Sequence, residues 1–172
     1  MKIILAKSAG YCFGVRDAVN AAYEASKEHG EVYMLGDIVH NENVVEDLEK
    51  KGVKVVEKLE EIPEDKPVLF RAHGTSKDVW EKAEDKKMNF IDATCPLVHD
   101  IHREVKELHA EGRKIIIIGD HGHDEVIGIA SQVEGAIIIA SIEEAQKLRK
   151  TKKAGIVSQS TQAIENVQDI IN

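Results

Sequence analysis

Two cysteines, 83 positions apart, occupy the same kind of place along this 172-residue chain. Cys12 lies in Gly10-Tyr11-Cys12-Phe13-Gly14-Val15, between the apolar run Ile3 to Ala6 and a helical pattern from Arg16. Cys95 lies in Asp92-Ala93-Thr94-Cys95-Pro96-Leu97-Val98, after the apolar run Asn89 to Ile91 and before a helical pattern over Pro96 to Glu111. Proline suits a first helical turn, because the amide it lacks would be unpaired there in any residue. Both sulfurs are therefore expected at strand-to-helix turns, where free amides and the positive end of the helix dipole suit a thiolate. Two soft thiolates in such places suggest metal ligation, and a plainer reading makes each a small buried hydrophobe.

A second set of chemistry-bearing residues falls in the other turns. His40 stands in Ile38-Val39-His40-Asn41, His73 in Arg71-Ala72-His73-Gly74, and His121, His123 and Glu125 in the stretch Gly119 to Glu125. Ser158-Gln159-Ser160-Thr161 adds a hydroxyl cluster. Taken singly, a turn histidine is an ordinary hydrogen-bonding cap, Glu125 complements a helix dipole, and the hydroxyls cap a helix. Taken together they make a different prediction. In parallel α/β sheets ligands bind beyond the carboxyl ends of the strands, and all these turns belong to that edge. Imidazole N–H groups and helix N-termini there can bind phosphate without making the whole protein basic. A zinc site of Cys12, Cys95, His121 and His123 is the competing chemistry, although the spacing matches no finger or ribbon. His99, His102 and His109 share a helix face with Lys106 and read as a solvated face.

The elements that must position these residues follow from hydrophobic periodicity. Strands are expected at Lys2 to Ala6, Val32 to Leu35, Val53 to Val56, Val68 to Arg71, Asn89 to Ile91, Lys114 to Ile118, Ala136 to Ala140 and Gly155 to Val157. Helices alternate with them, from Arg16 to His29, Glu42 to Lys51, Lys77 to Lys86, Pro96 to Glu111, from Asp124, from Ser141 to Arg149, and over the last residues. Val15, Ala18, Val19, Ala22 and Ala25 make the buried face of the first helix, and Val44, Val45 and Leu48 that of the second. Asn41, Ser141 and either Thr75 or Ser76 are the expected caps. Such alternation means an α/β fold of parallel sheets with right-handed crossovers. The expected organisation is two small parallel-sheet lobes with helices on both faces, 1–95 and 96–172, with residues 1–12 an unpaired or dimerising strand.

The net charge of −8 argues against a nucleic-acid groove and against a basic membrane patch. No stretch approaches the roughly 20 apolar residues of a membrane span, and the N-terminal apolar run is too short for a signal peptide. The chain is expected in the cytoplasm, where thiols stay reduced and a disulfide between Cys12 and Cys95 is not expected.

Six motifs in order carry a resemblance. They are Gly-Tyr-Cys-Phe-Gly-Val at 10–15, Ile-Val-His-Asn at 38–41, Arg-Ala-His-Gly at 71–74, Asp-Ala-Thr-Cys-Pro-Leu-Val at 92–98, Gly-His-Asp-Glu-Val-Ile-Gly at 122–128 and Ser-Gln-Ser-Thr at 158–161. The chain resembles the LytB/IspH family of hydroxymethylbutenyl diphosphate reductases of the non-mevalonate isoprenoid route. The resemblance implies three α/β lobes around a [4Fe-4S] cluster, with the substrate at an iron that no cysteine occupies. It implies that Cys12 and Cys95 are two of three cluster thiolates and that His40, His73 and His123 hold the diphosphate. It further implies that Glu125 relays protons and that Ser160 stands where the family usually has threonine. A ferredoxin- or flavodoxin-type donor would supply the electrons.

Family members are normally longer, with the third cysteine and a serine/asparagine motif in a third lobe. The expectation is therefore a truncated or two-lobe reductase that draws on a separate third-lobe polypeptide or a homodimer. The alternative is a non-catalytic module that binds a cluster or an anion, again as a homodimer. Smaller departures are Thr75 where valine or isoleucine is common, Asp124 where proline is common, and Ser131 where glycine is frequent.

Overall fold

The computed structural model describes residues 2–7 and 10–172. Its regular elements alternate as the periodicity requires. Helix α1 (Phe13–His29) leads to strand β1 (Val32–Leu35), helix α2 (Glu42–Glu49), strand β2 (Val53–Val56) and a short 3-10 turn at Leu59–Glu61. Strand β3 (Val68–Phe70), helix α3 (Lys77–Asp85) and strand β4 (Phe90–Asp92) complete a four-stranded parallel sheet of order β2-β1-β3-β4. Helix α4 (Pro96–Ala110), strand β5 (Lys114–Ile118), helix α5 (Asp124–Ala130), strand β6 (Ile137–Ile139), helix α6 (Ile142–Gln146), strand β7 (Ala154–Ser158) and helix α7 (Ile164–Ile171) build a second unit. Its three strands are parallel in the order β6-β5-β7.

Period-two alternation shows why each sheet carries helices on both faces. Val32 and Met34 of β1 point into a core with Ala18, Val19, Ala22 and Ala25 of α1 and Val44 and Leu48 of α2. Their neighbours Tyr33 and Leu35 point the other way, against Ala83 of α3 and Leu59. In the second sheet Ile115 and Ile117 meet Val105 of α4 and Val126 and Ile129 of α5. Ile116 and Ile118 meet Ile170 of α7. A strand buried on both faces has no polar side to show, which is why β5 reads as four consecutive isoleucines.

The expected caps hold in two places out of three. Asn41 accepts from the amide of Val44 and Ser141 from that of Glu144, whereas the Ser76 hydroxyl turns to the Asp78 carboxylate. The strand expected over Lys2 to Ala6 is a correction. That segment has no strand assignment, and Ile3, Ile4 and Leu5 are 80%, 78% and 85% exposed. A strand exists only by pairing, and among the described residues nothing pairs with this segment. Met1, Ser8 and Ala9, which fall in the stretch 1–12, lie outside the described residues.

Candidate active site

Five loops leave the carboxyl ends of β1, β3, β4, β5 and β7, and each delivers residues to one region. His40 follows β1, His73 follows β3, Cys95 follows β4, His123 and Glu125 follow β5, and Ser160 follows β7. Cys12 arrives separately, as the residue that opens α1.

The three turn histidines converge. The rings of His40 and His73 stack with centroids 4.1 Å apart and planes 24° from parallel. His123, from the second sheet unit, stands edge-on to both, at 5.5 Å and 5.7 Å. His73 is half-buried, and its Nδ1 has no partner. Burial first, then the neighbouring His40 and His123 and the Arg71 guanidinium, push its pKa down to about 4. It is therefore neutral at pH 7, ready to gain a proton if an anion arrives. His123 opens α5 with its Nδ1 accepting from the amide of Glu125 at 3.2 Å. That bond places the ring proton on Nε2, the nitrogen left free to donate.

Glu125 is buried to 1% exposure, yet its carboxylate is satisfied. One oxygen accepts from the Ser160 amide at 2.6 Å and the other from the Ser160 hydroxyl at 2.8 Å. Gln159, buried next to it, accepts from the Asp120 amide at 2.9 Å and donates to the Thr161 hydroxyl at 2.7 Å. It thereby ties the turn after β7 to the turn after β5. Sequence reading passed over Gln159 because its partners lie in another loop.

A glycine two residues after Cys12 lies against the other cysteine. A Cβ placed on Gly14, in the first turn of α1, would collide with the Sγ of Cys95. The helix that Cys12 opens therefore packs its first turn against the other thiol. Both thiols are free, and neither spends its sulfur on capping its own helix. Two unclaimed sulfurs at adjoining helix N-termini fit a metal cluster. The loop of Cys95 is braced by its amide on the carbonyl of Ala72 at 2.9 Å, by Asp92 accepting from the Thr94 amide at 2.9 Å, and by an Asp92–His99 contact of 2.7 Å.

The zinc alternative is overturned. His121 turns away to Glu144, with Nε2 at 3.1 Å and 2.9 Å from its two carboxylate oxygens. Among the described residues no group of three or more His, Cys, Asp or Glu is arranged to hold a metal ion. The solvated histidine face is corrected too. His109 and His99 are exposed, but His102 is only 8% exposed, and its Nε2 has no partner.

The geometry agrees with what the chain is similar to. A family model described as LytB protein matches residues 3–172. The chain belongs to the LytB family. It is 42% identical, over 99% of its length and 61% of the relative's, to the 4-hydroxy-3-methylbut-2-enyl diphosphate reductase of Geobacter metallireducens. The protein of the same name from Clostridioides difficile is 39% identical over 63% of its own length. The chain thus spans about six-tenths of the length of these relatives. Among solved structures, the E-1-hydroxy-2-methyl-but-2-enyl-4-diphosphate reductase of Plasmodium falciparum superposes with a TM-score of 0.91 at 32% identity. That match covers 96% of this chain and 53% of the other. A second, an (E)-4-hydroxy-3-methyl-but-2-enyl diphosphate reductase, gives 0.86 at 36% identity over 98% and 62%. The α/β architecture of this LytB-family chain is that of the reductases it matches. No helix among the described residues is long and apolar enough to cross a membrane.

Proposed function

We propose that this chain supplies two lobes of a cytoplasmic reductase, 1–95 and 96–172. The enzyme removes the hydroxyl of 4-hydroxy-3-methylbut-2-enyl diphosphate and yields isopentenyl and dimethylallyl diphosphate. The observation that carries the reading is the convergence of His40, His73 and His123 from three separate loops, beside the buried pair Glu125–Ser160. Beside burial, His40 and His123 repel a proton on His73. A diphosphate relieves that repulsion, accepts their N–H bonds and is held by them.

Loss of the allylic hydroxyl as water consumes two electrons and two protons, one for the leaving oxygen and one for the allylic carbon. Glu125 is the group suited to relay a proton, taking one up before passing it on. Its carboxyl is buried, held by Ser160 at both oxygens, and next in the chain but one to a diphosphate-binding histidine. Its enclosure also keeps bulk water from competing for that proton. Cys12 and Cys95 would hold an iron–sulfur cluster, [4Fe-4S] in the intact family, which supplies the electrons and a Lewis-acidic iron for the hydroxyl. Residues 1–172 carry two cysteines, so the third thiolate of such a site lies outside them. A ferredoxin- or flavodoxin-type protein is the electron donor.

Calorimetric titration with pyrophosphate, together with iron analysis after anaerobic reconstitution, tests the reading. Binding that weakens in both His40→Ala and His123→Ala, with iron uptake lost in Cys95→Ala, is the expected result. Unchanged pyrophosphate affinity in both histidine variants would place the anion elsewhere. Pyrophosphate binding with equal, negligible iron in wild type and Cys95→Ala would instead make the chain a non-catalytic anion-binding module.

A further inference from the structure

The candidate site is divided between two sheet units, and the contacts that join them lie beside its residues. Arg71 leaves β3 two residues before His73, and Asp124 opens α5 between His123 and Glu125. Their side chains meet fork to fork, Nη1 to Oδ2 at 2.8 Å and Nη2 to Oδ1 at 2.9 Å. A bidentate pair fixes orientation as well as distance, which a point charge does not. The guanidinium also lies against the turn after β1. A Cβ on Gly36, which has φ of +69°, would come within 2.6 Å of its Nη1. One side chain therefore touches the turn leading to His40, belongs to the loop of His73, and grips the residue between His123 and Glu125.

Two further contacts run along the same seam. The tip of the His102 ring, on α4, fits between Gly74 and Gly128. A Cβ on either glycine would lie 3.3 to 3.7 Å from its Cε1 and Nε2. Gly74 adjoins His73, and Gly128 lies one helical turn after Glu125. The Lys77 amide at the start of α3 donates to the Ser131 hydroxyl at 2.9 Å, and that hydroxyl donates in turn to the Gly128 carbonyl at 2.7 Å. Ser131 and Asp124 each make a seam contact through the side chain.

We infer that Arg71 and Asp124 are positioning residues, a latch that sets the spacing between the His40–His73 pair and the His123–Glu125 pair. What the spacing serves rests on the diphosphate reading above; that the latch sets it does not. The pair is partly exposed, with side-chain exposures of 26% and 33%. Solvent screens part of such a pair's contribution to stability, while its bidentate geometry fixes direction. The latch therefore acts on orientation more than on folding, which separates it from a merely structural role.

Histidine-ring NMR on the full chain tests this directly. The His123 ring stands edge-on to two rings of the other unit, so its proton resonances carry their ring currents. In Asp124→Asn and in Arg71→Lys those resonances should move toward the values of an isolated imidazole, while the melting temperature changes little. Pyrophosphate affinity should fall on the order of 10-fold in both, as preorganisation is lost. Asp124→Glu, which restores the charge on a longer stem, should recover part of both effects. His123 resonances unmoved in both Asp124→Asn and Arg71→Lys would overturn the latch. So would tighter pyrophosphate binding in Asp124→Asn, because Arg71 would then be an anion ligand that Asp124 holds in check. If wild type binds no pyrophosphate, the diphosphate reading fails, and the ring resonances still decide the latch.

Discussion

At the scale of single residues the site is set by what each side chain is denied. His73 is denied part of its solvent and stands among other bases, so it is neutral at pH 7. An arriving diphosphate reverses that balance, since its charge raises the pKa of each imidazole it touches. Pyrophosphate binding should therefore take up protons and should be tighter at pH 6 than at pH 8. Calorimetry in buffers of different ionisation enthalpy measures the uptake, and a value of zero would count against direct imidazole–anion contact. Glu125 is denied solvent as well, and only the Ser160 amide and hydroxyl satisfy it. Ser160→Ala removes one of the two donors to a buried carboxylate, which costs about 1–3 kcal/mol. Ser160→Thr keeps the hydroxyl and should cost far less, as urea denaturation of the two variants would show.

Among elements, α1 packs its first turn against Cys95, the residue that opens α4. Gly14→Ala in a free helix would stabilise by about 0.5–1 kcal/mol, because alanine loses less backbone entropy. Here the added Cβ meets the Cys95 sulfur, so the same change should destabilise by roughly 1–3 kcal/mol. Thermal melting decides between the two signs. Helix α4 also carries His102, whose pKa is lowered to about 4 by burial first, then by His99 and Lys106, with Asp92 opposing. Because the folded-state value lies below the ordinary 6.5, the unfolded chain binds the proton more readily at acid pH. The stability tied to a neutral His102 is present above pH 6.5 and is lost as pH falls toward 4, on the order of 3 kcal/mol at most. Urea midpoints at pH 7 and pH 4.5 should differ less in His102→Gln than in wild type. An equal difference would mean that the buried ring contributes nothing to acid sensitivity.

For the molecule as a whole, the exposed segment from Lys2 to Lys7 is the feature without a counterpart. Ile3, Ile4 and Leu5 stand in solvent, and an exposed apolar segment of this kind is a template for pairing with another chain. The purified protein should associate through it, and a symmetric dimer would bring two copies of this segment together. Light scattering should give a mass above that of one 172-residue chain, falling to one chain in Ile4→Lys. A clean monomer for wild type, or an unchanged mass in Ile4→Lys, would remove this segment as the interface.

Much of this was legible in one dimension because its physics is local or periodic. Alternating apolar runs determined two parallel sheets, since a strand buried on both faces has no polar side, and four consecutive isoleucines in β5 say so directly. Turn chemistry placed His40, His73, Cys95, His123, Glu125 and Ser160 at strand ends, and their order carried the family. Lys2 to Ala6 was misread because an apolar run records a strand's composition but not its partner, and pairing is not local. His102 was misread because helical spacing placed it beside Lys106. Its burial was decided by Gly74 and Gly128, 28 residues before it and 26 after, which leave room for its ring between two sheet units. Arg71 and Asp124 carry no local signal at all, being 53 positions apart. Only the packing of one sheet unit on the other could bring a guanidinium to that carboxylate and His123 beside His40 and His73, because each contact joins groups that the chain itself keeps far apart.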